Sequence, residues 1–188
     1  MNIELLARSV DVHDLRQEAL SNENCWAEAT ARHKAGDYFL SGNRKDGTYI
    51  PLRVRASLDP TDHTSVAVCW TSFADRFPLL TAWIESGFGL VGRVFLYKIP
   101  VGQQGIPRHI DSGEYYRKHN RYHLCLQGRY RYEVGGEEIV AEAGDLFWFD
   151  NQKMHTADNL GDVDRISVVF DVLKNSALPH NYRAREGV

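Results

Sequence analysis

No run in this chain approaches the ~18 consecutive apolar residues that a membrane-spanning helix needs. The opening Met1-Asn2-Ile3-Glu4 also lacks the basic-then-apolar order of a secretion signal. The expectation is a cytoplasmic protein with no membrane partner. Cysteine is scarce: Cys25, Cys69 and Cys125 are odd in number and show no CxxC spacing. That excludes a disulfide framework and a cysteine-rich zinc cluster and predicts reduced, packed thiols. Positive charge is not in excess, since 22 Lys and Arg face 25 Asp and Glu for a formal net charge of −3. Nothing in that balance calls for nucleic acid as a partner. Repeats, linkers and low-complexity segments are also missing. What remains is 188 residues, 43% hydrophobic and 25% charged, enough for one domain with a substantial core.

The first ninety residues read as a support region. Asp11 to Leu20 is a short helix with Asp11 as its expected N-cap, and a second helix runs through Cys25 to Ala31, with Trp26 as a packing anchor. Gly42 to Gly47 is a turn. Tyr49 to Arg55 is extended, Pro51 favouring a strand start or an edge. Asp59 to Asp62 turns into a buried strand over Ser65 to Trp70, and Asp75 to Ser86 is an amphipathic helix with Gly87 as C-cap. From Val91 the texture changes to short alternating runs: Val91–Ile99, Arg121–Leu126, Arg129–Val134, Glu137–Ala141, Leu146–Phe149 and Arg165–Val172, with Gly135-Gly136 as a tight hairpin. The fold this predicts is mostly β, a double-stranded β-helix of jelly-roll or cupin-like form with N-terminal and flanking helices. It forms a single domain over 1–188, divided into support (1–90), core (91–173) and a C-terminal tail (174–188).

The chemistry concentrates between His109 and Arg165. His109-Ile110-Asp111 places a histidine and an aspartate on the same side of an extended segment, because side chains alternate along a strand. His155 follows 44 residues after Asp111, far enough for several short strands to return to the same place. Two imidazoles and one carboxylate form the set that holds non-heme Fe(II) on one face and leaves positions open. In the run from Arg165 to Val172, Arg165, Ser167 and Val169 share one face and Ile166, Val168 and Phe170 the other. An arginine turned inward beside a cation needs an anion between them, and a guanidinium fork matches a carboxylate.

The ordered set His109-Ile110-Asp111, Arg121-Tyr122-His123-Leu124, Gly144 to Asp150, His155, Asn159, Arg165 and Val169-Phe170-Asp171-Val172 resembles the aspartyl/asparaginyl beta-hydroxylase-like group of Fe(II)- and 2-oxoglutarate-dependent dioxygenases. The resemblance covers roughly residues 91 to 173. It implies that His109, Asp111 and His155 ligate Fe(II), that Arg165 binds the distal carboxylate of 2-oxoglutarate, and that Arg121 and His123 also contact this cosubstrate. O2 is the oxidant, and ascorbate enters as a stimulant. The asparaginyl hydroxylase that names the group has glycine where this chain has Asp111, so the complete triad is closer to the group's bacterial hydroxylases of free amino acids and small molecules.

The implied activity is hydroxylation of a small amino-acid-like substrate, or of an Asp, Asn or Pro type of side chain, with succinate and CO2 as co-products. Arg108, Arg117 and Lys118 near the HxD favour a small-molecule or peptide substrate that is anionic or zwitterionic. Arg129 and Arg131 are expected to pair with Glu137 or Glu138 across a hairpin. The segment from Tyr115 to Asn120, including His119, reads as a flap over the mouth. Two other readings stay open: a metal-dependent cupin enzyme that makes no use of 2-oxoglutarate, and a non-catalytic cupin-like binding module.

Overall fold

A strand such as Arg165–Leu173, buried along both faces, needs cover on both sides of its sheet, and the computed structural model shows how this chain supplies it. It describes residues 1–35, 48–56, 67–103 and 105–176, apart from the side chain of His33. The expected turns at 42–47 and 59–62, Ser65 and Val66, and the tail beyond residue 176 lie outside the described residues. In chain order the elements are β1 (Ile3–Ala7), α1 (His13–Ser21), α2 (Glu23–Lys34), β2 (Thr48–Arg55), β3 (Val68–Trp70), α3 (Pro78–Gly87), β4 (Val91–Ile99), β5 (Ile106–His109), α4 (Glu114–Lys118), β6 (His119–Gln127), β7 (Tyr130–Val134), β8 (Glu137–Ala141), β9 (Leu146–Phe149), β10 (His155–Asn159) and β11 (Arg165–Leu173). They form a seven-stranded sheet in the order β1-β9-β6-β11-β4-β2-β3 and a four-stranded sheet in the order β5-β10-β7-β8. This is a cupin-type jelly roll. Among the described residues no helix is long and apolar enough to cross a membrane.

The large sheet separates two cores. On its outer side Leu124, Ile166, Val168 and Phe170 pack against Leu15, Trp26, Leu80 and Ile84 from the helices. Leu80 and Ile84 are fully buried, each contributing about 1.5–3 kcal/mol. On its inner side Cys125, Phe147, Phe149 and Val169 meet Tyr130, Tyr132, Val134 and Ala157 of the small sheet. The alternation read from Arg165 to Val172 is therefore the observed one. The hairpin at Gly135-Gly136 is also as expected, with φ of 55° and 87°, the left-handed pair that a two-residue turn requires.

Several expectations need correction. The cap of α1 is Val12, and Asp11 acts from one residue further out, its Oδ1 accepting the His13 N–H at 3.1 Å. The strand ending at Trp70 is not buried: β3 is the edge of the large sheet, and Cys69 on it is exposed. Pro51 lies inside β2 rather than at its start, tolerated because β3 pairs only with Arg53 to Arg55. Gly87 closes α3 without a left-handed turn, since Phe88 continues extended at φ −138° and packs its ring on Phe170 at 4.5 Å. The first ninety residues also do more than support, because β1 pairs with β9 and β2 with β4 inside the large sheet.

β5 meets β10 so closely that Gly105 leaves no room for a side chain. Its φ is 103°, and a Cβ there would stand 2.0 Å from the Ala157 carbonyl oxygen. Gly105→Ala is expected to lose about 2–4 kcal/mol of stability, read from urea unfolding. An unchanged midpoint would mean that the β5 approach is not constrained as described.

Candidate metal centre

The pairing of β5 with β10 sets His109 directly opposite His155, with ring centroids 4.1 Å apart. Asp111 is not on the same strand as His109, as the alternation argument had it. β5 ends at His109, and Asp111 is brought back by its own backbone instead. Its N–H donates to the Asn151 carbonyl at 3.0 Å, and its carbonyl accepts from Gln152 Nε2 at 2.9 Å. The ligand atoms of His109, Asp111 and His155 then fall within 4.8 Å of one another, and His109 Nε2 is 3.8 Å from Asp111 Oδ1.

The donor set fits a metal. His109 Nδ1 is 2.8 Å from the Pro107 carbonyl and His155 Nδ1 is 2.8 Å from the Lys153 carbonyl. A carbonyl can only accept, so each Nδ1 carries the proton and each Nε2 lone pair is left for a cation. Burial pulls the His155 pKa down to about 4, only partly opposed by the Lys153 carbonyl and by Asp111. The ring is therefore neutral near pH 7, the form in which imidazole ligates. The turn at 150–153 thus serves both ends of the triad, through backbone groups that no side-chain pattern reveals.

This shift has a consequence for stability. His155 has a folded pKa of about 4 against an ordinary value of 6.5, so the unfolded chain takes up a proton first as pH falls. Stability of the metal-free protein is expected to be full above about pH 6.5 and to decline towards pH 4, by about 3 kcal/mol from this residue. Burial lowers His119 in the same direction. Unfolding curves of wild type and His155→Ala across this range check it: the variant should lose part of the acid sensitivity. Parallel pH dependence in both proteins would count against the assignment.

Arg165 is fully buried. Its Nε–H donates to Ser167 Oγ at 3.1 Å and its guanidinium lies 3.7 Å from the Tyr130 ring centroid. Among the described residues, neither terminal nitrogen of the fork has a hydrogen-bond partner. Aromatic rings lead from it back to the triad: Tyr130 to Tyr132 at 6.5 Å, and Tyr132 to His155 at 6.3 Å. His123 lines the same interior, its ring 5.2 Å from Tyr132 and 5.1 Å from Phe147. Cys125 is there too, and burial pushes its thiol up to about 12, so it stays protonated and unreactive.

Arg121 reaches the triad, but in a way sequence reasoning did not foresee. Its NH1 donates to Asp111 Oδ2 at 2.6 Å, while Nε and NH2 hold Asp171 at 2.8 and 3.1 Å. Burial works against its charge, yet Asp111 and Asp171 outweigh it and hold the guanidinium pKa well above its ordinary value. In the sequence Asp171 appears only within the closing run Val169-Phe170-Asp171-Val172, with no role of its own. The signal was present, because it shares the inward face of Arg165, Ser167 and Val169, where a carboxylate needs a cation.

The cationic residues singled out near the HxD are already paired. Arg108 grips Glu133 at 2.6 and 2.7 Å, and Arg117 and Lys118 both hold Glu114. Arg131 reaches Glu138 at 3.7 Å as expected but bonds Asp158 more closely, its Nε–H donating at 3.2 Å, and Arg129 takes Glu142 instead of Glu137 or Glu138. His119 is not part of a flap. It is buried, its Nδ1 is 2.8 Å from the Tyr115 carbonyl, and its ring stacks on Tyr115 at 4.1 Å. Tyr115 is itself buried and its hydroxyl accepts the Arg93 N–H at 2.7 Å, which docks α4 firmly.

Residues 95–170 match the family model described as Cupin domain. No curated protein sequence matches the chain. Among solved structures, it is similar to an oxidoreductase of the 2OG-Fe(II) oxygenase family from Burkholderia pseudomallei, at 12% identity and a TM-score of 0.50, covering 82% of this chain and 81% of that one. It is also similar to a cupin protein from Bacteroides fragilis (21% identity, TM-score 0.38, covering 51% of this chain and 75% of that one). A predicted oxalate decarboxylase from Thermotoga maritima matches at 17% identity and TM-score 0.38, covering 50% and 73%. At 12% identity the likeness to the Burkholderia structure carries the fold alone.

Proposed function

We propose that the protein is an Fe(II)- and 2-oxoglutarate-dependent dioxygenase that hydroxylates a small amino-acid-like substrate. The observation that carries this reading is the Arg165 guanidinium, buried inside the barrel with its two terminal nitrogens lacking a hydrogen-bond partner among the described residues. A metal-only cupin has no use for it, and an apolar residue of similar volume would cost the fold less. A dicarboxylate that reaches from the triad down to Arg165 gives that charge its counterpart. His109, Asp111 and His155 would hold the iron, which supplies the activation of O2 when bound.

The chain's own residues do the rest. The Nε2 atoms of His109 and His155 and Oδ1 of Asp111 would be the three protein donors to the iron, with further positions left open for cosubstrate and oxygen. Arg165 and Ser167 orient the far carboxylate. Tyr130, Tyr132, Phe147 and Phe149, all buried, exclude water from the space between. The reaction balances as one substrate C–H, 2-oxoglutarate and O2 giving the alcohol, succinate and CO2, one oxygen atom entering each of the first two products.

Arg93 supports an anionic or zwitterionic substrate. Its guanidinium rests 3.9 Å from the Tyr115 ring centroid, and NH1 donates to the Tyr116 hydroxyl at 3.3 Å. Tyr116 also lies beneath Arg121 at 5.0 Å, so Arg93 is connected to Asp111 through Tyr116 and Arg121. A panel of free amino acids and short peptides, incubated with Fe(II), ascorbate and 2-oxoglutarate, tests the activity. Substrate-dependent succinate and a product heavier by one oxygen are expected. A panel that yields product without consuming 2-oxoglutarate would favour the metal-only cupin.

A further inference from the structure

Asp111, Arg121 and Asp171 form a buried row of two carboxylates and one guanidinium, exposed by 7%, 6% and 1%. The row is built into the backbone, because Arg121 and Asp171 are register partners on the adjacent strands β6 and β11. Asp171 receives the guanidinium with both oxygens, at 2.8 and 3.1 Å, the bidentate arrangement that fixes a planar fork most firmly. Three of the five N–H groups of an arginine are thereby accounted for, the third being the 2.6 Å bond to Asp111 Oδ2. The other Asp111 oxygen, Oδ1, is the one 3.8 Å from His109 Nε2.

We propose that Asp171 is a positioning residue for the metal centre: through Arg121 it reserves Asp111 Oδ2, so that Asp111 ligates through Oδ1 alone, and it offsets the guanidinium charge that opposes a cation in the triad. Without Asp171 the row would carry one negative and one positive charge, and Asp111 would face the metal largely neutralised by its own partner. With Asp171 the row keeps one net negative charge. The Tyr116 ring lies 5.0 Å from the Arg121 guanidinium and packs against the fork. The inference rests on the metal reading of the triad and is independent of 2-oxoglutarate.

The test is Mn(II) affinity of the full chain, by titration followed with electron paramagnetic resonance, in the wild type, Asp171→Asn, and the double variant Arg121→Gln/Asp171→Asn. Wild-type protein that binds no Mn(II) would overturn the metal reading itself. Given wild-type binding, Asp171→Asn is expected to weaken it roughly ten- to a hundredfold, and the double variant, which removes the uncompensated cation, to bind more tightly than the single one. A merely structural role predicts the opposite order, so a double variant no better than the single would overturn the proposal, as would an Asp171→Asn protein that binds like the wild type. Should the variants fail to fold, a crystal structure of the Mn(II)-loaded wild type decides: Oδ1 on the metal with Oδ2 kept on Arg121 is expected, and two-oxygen ligation by Asp111 contradicts it.

Discussion

His155→Ala protein should bind Mn(II) more than about a hundredfold more weakly than the wild type and show no turnover, while keeping its fold. The loss is expected to exceed the ten- to hundredfold typical of residues that only orient a ligand, because His155 would be a ligand itself. Its Nε2 is the donor left over once Nδ1 engages the Lys153 carbonyl at 2.8 Å, and the ring is held in place by Phe149 at 4.9 Å and Tyr132 at 6.3 Å. Truncation opens a cavity beside those rings, at about 2–4 kcal/mol, which a domain of this size can absorb. Metal titration alongside circular dichroism separates the two effects. Unchanged metal affinity in a folded variant would remove the triad from the account.

Arg165→Met should abolish 2-oxoglutarate binding and, at the same time, raise the thermal midpoint of the ligand-free protein. The two halves have one cause. A buried guanidinium whose two terminal nitrogens have no hydrogen-bond partner among the described residues destabilises the fold, and replacing buried charge by an apolar side chain is often neutral or stabilising by about 1–4 kcal/mol. The same replacement leaves a bound dicarboxylate with an unpaired buried charge, a penalty of about 3–5 kcal/mol, or two to more than three powers of ten in affinity. Arg165→Lys keeps the charge but loses the fork, and the smaller loss expected is about 1.5–3 kcal/mol. Calorimetric titration and thermal melts read both quantities. A methionine variant that binds 2-oxoglutarate normally would transfer the protein to the metal-only class.

The parts of this site that lie on long alternating runs were legible in the sequence. Arg165 could be placed inside the barrel because Ile166, Val168 and Phe170 have to face the helices, and β4, β8 and β9 occupy the expected residues. What escaped was decided by distant partners. β1 has no turn signals around it and exists by pairing with β9, about three-quarters of the chain away. β5 is four residues long and contains a proline, yet its pairing with β10 is what sets His109 opposite His155. α4 is too short to form alone and is held by the contacts of Tyr115 with Arg93 and His119.

Charge partners were the least legible feature. Arg108, Arg117 and Lys118 near the HxD suggest an attracting patch, but Glu114 and Glu133 take up Arg117, Lys118 and Arg108. A sequence shows how many charges a segment holds, whereas pairing depends on which strands become neighbours. Arg121 is the clearest case: assigned to the cosubstrate by resemblance, its fork is engaged by two aspartates ten and fifty residues away.

The central claim, that the barrel interior joins a metal triad to a carboxylate-binding arginine, is tested most directly by titrating 2-oxoglutarate into the Mn(II)-loaded protein and following heat release. The account predicts binding of one molecule per chain that requires the metal and disappears in Arg165→Met. Binding that is absent in the metal-loaded wild type, or that persists unchanged in the Arg165→Met variant, would contradict it.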